Sequence, residues 1–280
     1  MITERIDAIT AIAPAYRATV LSPPRSVKIE LTGRCNYACS FCARSMVLRE
    51  QKDMPRTLFE RRGFSYVFLT TNGSLAEPER LETCFRAGLD SLKFSFNYSD
   101  ESQFAEIARV KPVFFRRMID NIRQAKSVRD KVEAESEHRC GLYASYIEYD
   151  GEQRRRMSEA LQQIEPLVDE IYALPLYSQA DLVADTEKQS GWKPTAGNRG
   201  RVGALRDPLP CWAVFTEGHI TWDGRLSACC FDHDGRFHMG DLTATPFPQA
   251  WNSEKFQQLR AAHLKKDVAG TPCESCVAYV

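Results

Sequence analysis

Three cysteines near the start of the chain constrain it more than any other feature. Cys35, Cys39 and Cys42 are spaced C-x3-C-x2-C, directly after Val27, Ile29 and Leu31, whose alternation predicts a strand. Thiolates are soft ligands, and three of them crowded on one loop suit iron–sulfur clusters or zinc. A structural zinc site normally closes with four protein ligands, and no fourth ligand follows at local finger spacing. Three thiolates on a [4Fe-4S] cluster would leave one iron open to a small molecule. The bland alternative is three buried or adventitious thiols, or part of a zinc site.

The chain beyond this loop alternates strand and helix patterns. Residues 2–18 read as an amphipathic helix closed by Pro23 and Pro24, and strand one follows at 26–32. Residues 54–61 begin like a helix. Residues 65–70 are β-rich and end at Thr71-Asn72-Gly73, a turn signal. A helix at 76–88 stops at Gly88, and 91–97 alternates with period two. A long helix is expected at 111–128, a strand at 141–147, a helix at 153–165 and a last short strand at 171–175. Such alternation predicts a parallel sheet in an α/β fold. Residues 178–208 are polar and read as a linker.

Composition excludes several classes of partner. Lys plus Arg equals Asp plus Glu at 37 each, so no basic surplus argues for nucleic acid. No apolar run approaches the roughly 20 residues of a membrane span. Ten cysteines behind an N-terminus unlike a signal peptide favour reduced thiols and metal over disulfides, and a cytoplasmic location.

The loop around Cys35, Cys39 and Cys42, with the aromatic Phe41 just before the third cysteine, resembles that of the radical S-adenosylmethionine (SAM) enzymes. The resemblance implies a partial (βα) TIM-like barrel over residues 26–177, after an N-terminal lead-in at 1–25. It also implies a [4Fe-4S] cluster whose open iron chelates SAM, which an electron cleaves to methionine and a 5′-deoxyadenosyl radical. An electron donor such as flavodoxin or ferredoxin would supply that electron. Ser95 and Asn97 match a place where such enzymes hold the ribose and carboxylate of SAM, and Thr71 and Asn72 are candidates to line the same mouth. For each of these the alternative is a polar strand-end residue that satisfies its own loop. Lys93, Tyr143 and Ser145 are weaker candidates on neighbouring strands.

One family segment is missing. Residues 43–70, all that separates Cys42 from Thr71, hold no Gly-Gly-Glu-Pro-like motif, whose backbone and carboxylate bind the SAM amino group in that family. The seam near Arg61–Arg62 implies loss of most of one strand–helix unit, roughly 30 residues. The barrel is therefore expected to be one unit short. Either strand one pairs directly with the 65–70 strand, or the sheet has a gap.

A second cysteine set lies at the other end. Cys211, Cys229, Cys230 and the C-x2-C pair Cys273 and Cys276 accompany Met239-Gly240-Asp241-Leu242 and Trp251-Asn252. Ala213-Val214-Phe215 and His219-Ile220-Thr221-Trp222 flank Glu217-Gly218, read as a hairpin turn, with Asp223-Gly224 a second tight turn. A helix at 248–263 follows. The pattern over 209–280 is similar to the SPASM/Twitch extension of radical SAM proteins, a small hairpin-and-helix iron–sulfur domain. There Cys211, Cys229, Cys273 and Cys276 correspond to ligands of one auxiliary [4Fe-4S] cluster. Adjacent strand residues face opposite sides, so only one of Cys229 and Cys230 should reach it, and the spacing after Gly224 selects Cys229. A four-cysteine zinc ribbon is the alternative for this set. Cys84 and Cys140 read as small buried hydrophobes, and the histidines show no ligand spacing.

These features predict a radical SAM enzyme that abstracts hydrogen from a small-molecule, carbohydrate-like or peptide substrate. The auxiliary cluster would accept the electron, making the net reaction an oxidation. A leader-binding domain is not visible at the N-terminus, which tilts the expectation towards a small substrate. The rival is a catalytically impaired iron–sulfur or zinc protein, or an electron carrier, on a shortened radical SAM scaffold.

Overall fold

The computed structural model describes residues 1–55, 65–147, 152–174, 179–183 and 209–276. Most of the expected helix at 54–61 and of the 178–208 linker lies outside them. Packing divides the chain into two units, one formed by Met1–Ile2 with Arg61–Leu174 and the other by Thr3–Glu60 with Pro175–Val280.

The first unit is built on β2 (Phe68–Thr71), β3 (Ser91–Ser95), β4 (Gly141–Ile147) and β5 (Glu170–Leu174), parallel throughout and in sequence order. The expected N-terminal helix is the shorter α1 (Ile2–Thr10), and between the strands run α2 (Pro78–Arg86), α3 (Glu101–Ala108), α4 (Val113–Glu135) and α5 (Glu152–Gln162). On one sheet face Leu92, Phe94, Leu142 and Ala144 are fully buried. Just past β3, Phe96 is equally buried, its ring 6.0 Å from that of Phe115 on α4. Burial of each large apolar side chain contributes roughly 1.5–3 kcal/mol.

Strand pairs in parallel register share a face, so Ser95↔Ser145 and Lys93↔Tyr143 put four polar side chains together on the other face. Lys93, Tyr143 and Ser145 therefore point the same way as Ser95. Short α3 was not anticipated. Asp100 caps it by accepting from Gln103 N at 2.9 Å, and Phe104 packs edge-on against Tyr98 at 4.9 Å.

In the second unit β1 (Ser26–Ile29) pairs in parallel with β6 (Glu217–Ile220). Antiparallel β7 (Arg225–Ser227) and β8 (His238–Asp241) complete the order β1-β6-β7-β8. Of the two expected outcomes for strand one, direct pairing with the strand before Thr71 is not seen. β1 finds its hydrogen bonds some 190 residues downstream, with Ser26 opposite Glu217.

The expected turn at Glu217–Gly218 is the start of β6, because Ala213–Thr216 before it is a short helix, α6. The hairpin turn is the second signal, at Asp223–Gly224, where Gly224 N donates to Thr221 O at 2.9 Å. The single helix expected at 248–263 is two, α7 (Phe247–Trp251) and α8 (Glu254–Lys265), because Ser253 caps a fresh start by accepting from Phe256 N. Gly240 lets β8 approach α7, since a Cβ there would meet the Ala250 Cβ at 2.9 Å. No described helix is long and apolar enough to cross a membrane.

Candidate metal centres

The first cysteine loop leaves β1 and is tied down by charge. Glu30 follows β1 and accepts from Arg44 Nη2 at 2.7 Å and from Arg49 Nη2 at 2.7 Å. The same carboxylate accepts from Trp222 N at 3.2 Å in the β6–β7 turn. Arg44 also donates to Gly33 O at 2.9 Å, closing the loop over its own start. Within it Cys42 N donates to Cys39 O at 3.0 Å. Cys35 is exposed, Cys39 and Cys42 are half-buried, and Phe41 is buried.

Burial pushes the Cys42 thiol up, Arg44 pulls it down, and Cys35 adds to the rise. Cys42 therefore senses Cys35 electrostatically. Removing the Glu30 carboxylate strands two guanidinium groups. Glu30→Ala should cost this unit about 2 kcal/mol, below the 3–5 of a fully buried pair because all three groups are partly solvated. Denaturation of the iron-loaded protein checks it, with faster iron loss from the first site as the accompanying sign.

Gln179 is a contact the sequence did not reveal. Its Nε2 donates to Phe41 O at 3.0 Å and its Oε1 accepts from Ala43 N at 2.9 Å, so one side-chain amide brackets Cys42 on both sides. Gln179, Ala180 and Asp181 have φ of 52, 60 and 69°, a left-handed run without glycine. Such backbone is costly and persists where the surroundings hold it. No composition or spacing signal distinguishes a glutamine in a polar stretch.

In the first unit Thr71 and Asn72 spend their oxygens on their own turn. Thr71 Oγ1 accepts from Gly73 N at 3.1 Å, and Asn72 Oδ1 accepts from Ser74 N at 3.1 Å and Ser74 Oγ at 2.8 Å. Gly73, at φ +78°, sits 3.1 Å from Met118 by its would-be Cβ, and its carbonyl accepts from Asn121 at 2.7 Å. Beyond the end of β3 and on β4 the situation differs. Asn97 Oδ1 and Ser145 Oγ are buried without a hydrogen-bond partner. Buried polar atoms left so cost free energy unless a ligand or water meets them.

In the second unit Cys211 is near enough to influence both Cys229 and Cys273, and Cys273 is likewise influenced by Cys276. Cys276 N donates to Cys273 O at 3.1 Å. The Cys229 thiol is raised well above its usual range by its hydrogen bond with Cys230, by burial and by the nearby Cys211. Cys273 is raised by burial, then by Cys211 and Cys276. Cys211 thus reaches both halves of the set, while Cys230 is exposed. Thiols that disfavour one another's ionisation become good ligands once a cation sits among them. Among the described residues no three Cys, His, Asp or Glu side chains already stand at metal-binding convergence, and none of the cysteines is in a disulfide. The donor set fits a soft metal centre.

Asn252 holds this domain's frame, accepting from Leu21 N and donating to Leu21 O, both at 2.9 Å. A scan against protein-family models matches residues 211–277 to "SPASM: Iron-sulfur cluster-binding domain". This segment is similar to SPASM domains.

A search of curated proteins finds no match. Among solved structures the chain is similar to Streptococcus suis SuiB bound to S-adenosylmethionine, at 15% identity over 94% of this chain and 73% of that one, TM-score 0.56. It is also similar to the same protein bound to precursor peptide SuiA, at 15% identity, 93% and 71% coverage and TM-score 0.55. BtrN in complex with AdoMet and 2-DOIA aligns at 12% identity over 91% of this chain and 93% of that one, TM-score 0.44. The chain is therefore similar to SuiB in its α/β fold, and its C-terminal segment matches the SPASM model.

Proposed function

We propose that this protein is a radical SAM enzyme with one auxiliary cluster. The observation that carries the reading is the C-x3-C-x2-C loop on a chain similar in fold to SuiB, with a C-terminal segment similar to SPASM domains. In this reading residues 26–177 supply the radical SAM core and 209–280 the auxiliary domain. Cys35, Cys39 and Cys42 would hold the first [4Fe-4S] cluster, and Cys211, Cys229, Cys273 and Cys276 the second. When bound, the first cluster and SAM supply reductive formation of a 5′-deoxyadenosyl radical for hydrogen abstraction, and the second cluster supplies an electron acceptor.

The chain's own residues do the holding. Gln179 and the Glu30–Arg44–Arg49 group fix the backbone on both sides of Cys42. Phe41, next to Cys42, is buried. Ser95 and Asn97 are proposed as polar partners of SAM, supported by the unsatisfied Asn97 Oδ1. Thr71 and Asn72 have weaker support, since their turn already uses them. For the substrate, the SuiB likeness supports a peptide, because one of those structures contains its precursor peptide. A small molecule is the alternative.

The test is dithionite-driven cleavage of SAM by the anaerobically reconstituted protein, read as 5′-deoxyadenosine. Formation at least 100-fold above a Cys39→Ala control is expected, by an order-of-magnitude argument from removing an essential ligand. No formation, with iron and sulfide bound at both sites, would replace the enzyme by an electron-transfer or structural protein. The pairing of β1 with β6 is the observation that favours that second reading.

A further inference from the structure

His263 lies on α8, fully buried, its ring edge-on to Phe215 at 6.3 Å. Its two nitrogens meet two different members of the cysteine set. The backbone N–H of Cys211 reaches Nδ1 at 3.2 Å, and Nε2 lies 3.4 Å from Cys273 Sγ. An N–H can only donate, so Nδ1 accepts and carries no proton. The imidazole proton is then on Nε2, directed at the sulfur of Cys273. The tautomer follows from the backbone contact alone.

We infer that His263 is a positioning residue of the auxiliary cluster, donating an N–H···S hydrogen bond to Cys273 and thereby raising that cluster's reduction potential. The inference rests on the proposed cluster at Cys211, Cys229, Cys273 and Cys276. Physical chemistry gives the sign. Reduction adds negative charge that spreads onto the ligand sulfurs, and a donor aimed at one of them stabilises the reduced state more than the oxidised one. Burial strengthens the effect, since no water competes for the sulfur. The same ring anchors the backbone at Cys211, so one side chain couples the first and third ligands of the set. The histidine carries no ligand spacing in the sequence. It is placed by α8, whose other buried residues, Phe256, Leu259 and Arg260, pack into the domain core.

The experiment is an EPR-monitored redox titration of the full chain, reconstituted anaerobically in a Cys39→Ala background so that only the auxiliary signal remains. His263→Leu removes both contacts. His263→Gln keeps a side-chain N–H near the Nε2 position. The expected result is a lower potential in the leucine variant, by a factor of about ten in the reduction equilibrium, or ~59 mV for one electron, with the glutamine variant recovering most of it. Loss of the cluster from the leucine variant, with the glutamine variant near the parent potential, also supports the donor role.

An unchanged potential in a leucine variant that retains iron and sulfide would overturn the inference and leave the SPASM cluster intact. Loss of the cluster from both variants would overturn it too, marking His263 as packing. Absence of any cluster from the parent would overturn the underlying metal assignment itself, a result iron and sulfide analysis separates from the others.

Discussion

Replacing Trp251 by alanine should destabilise the second unit by about 4 kcal/mol, the middle of the range for deleting a large buried aromatic. Trp251 is completely buried among Ala250, Phe256 and the β8 side chain Met239. Its indole N–H donates to Ser22 O at 3.0 Å, and its ring stacks on Phe247 at 6.2 Å and tilts against Phe256 at 4.8 Å. The guanidinium of Arg260 lies 4.3 Å over the same ring.

Arg260 explains why the tryptophan matters beyond its area. It is fully buried and donates to Val214 O and Thr19 O, both at 2.9 Å. Burial pulls its pKa down to about 10. A desolvated cation gains about 2 kcal/mol from an aromatic face, which alanine removes. Denaturant unfolding of the iron-loaded protein reads the effect as a lower midpoint at unchanged slope. Trp251→Phe, which keeps a ring beneath Arg260, should cost about half as much. Equal losses for the two variants would show that a ring retained beneath Arg260 contributes nothing.

A second large effect concerns acid. His219 on β6 is buried with both ring nitrogens lacking hydrogen bonds, beside Lys28 and Glu217, which pair with each other at 2.8 Å. Burial first, then Lys28, push its pKa from 6.5 to about 4, against a smaller opposite pull from Glu217. The folded pKa is below the unfolded one, so the unfolded chain takes up the proton first as pH falls. The stability is full above about pH 6.5 and is lost between there and about pH 4. The loss is roughly 3 kcal/mol, from the free energy equivalent of each pKa unit. His219→Leu should flatten the dependence in that window by this amount. His233, also pushed down to about 4 by burial and by Arg44 and Arg49, leaves a residual slope. Unfolding free energies measured between pH 7 and pH 4 for the two proteins give the difference directly. Parallel pH profiles would rule out the buried neutral imidazole.

Local pattern determined much of this protein. Alternation over 91–97 and 141–147 and the apolar stripe of Phe115, Met118, Ile119 and Ile122 settle β3, β4 and α4, because side-chain period and burial are local consequences of the chain. The two cysteine groups, the SPASM motif and the tight turn at Asp223–Gly224 were equally legible, since ligand spacing and turn chemistry live in short stretches.

Only the tertiary structure decided which strand β1 would join. Val27 and Ile29 announce a strand, yet a strand's free edge carries no address, and the pairing of Ser26 with Glu217 closes a loop across most of the chain. The start of β6 is hidden because Glu217–Gly218 reads locally as a turn, although it pairs with Ser26 and Val27. The same holds for Gln179 against Cys42 and for His263 between Cys211 and Cys273. A hydrogen bond between residues far apart in sequence leaves no local trace, because it is formed only after packing has brought the two segments together.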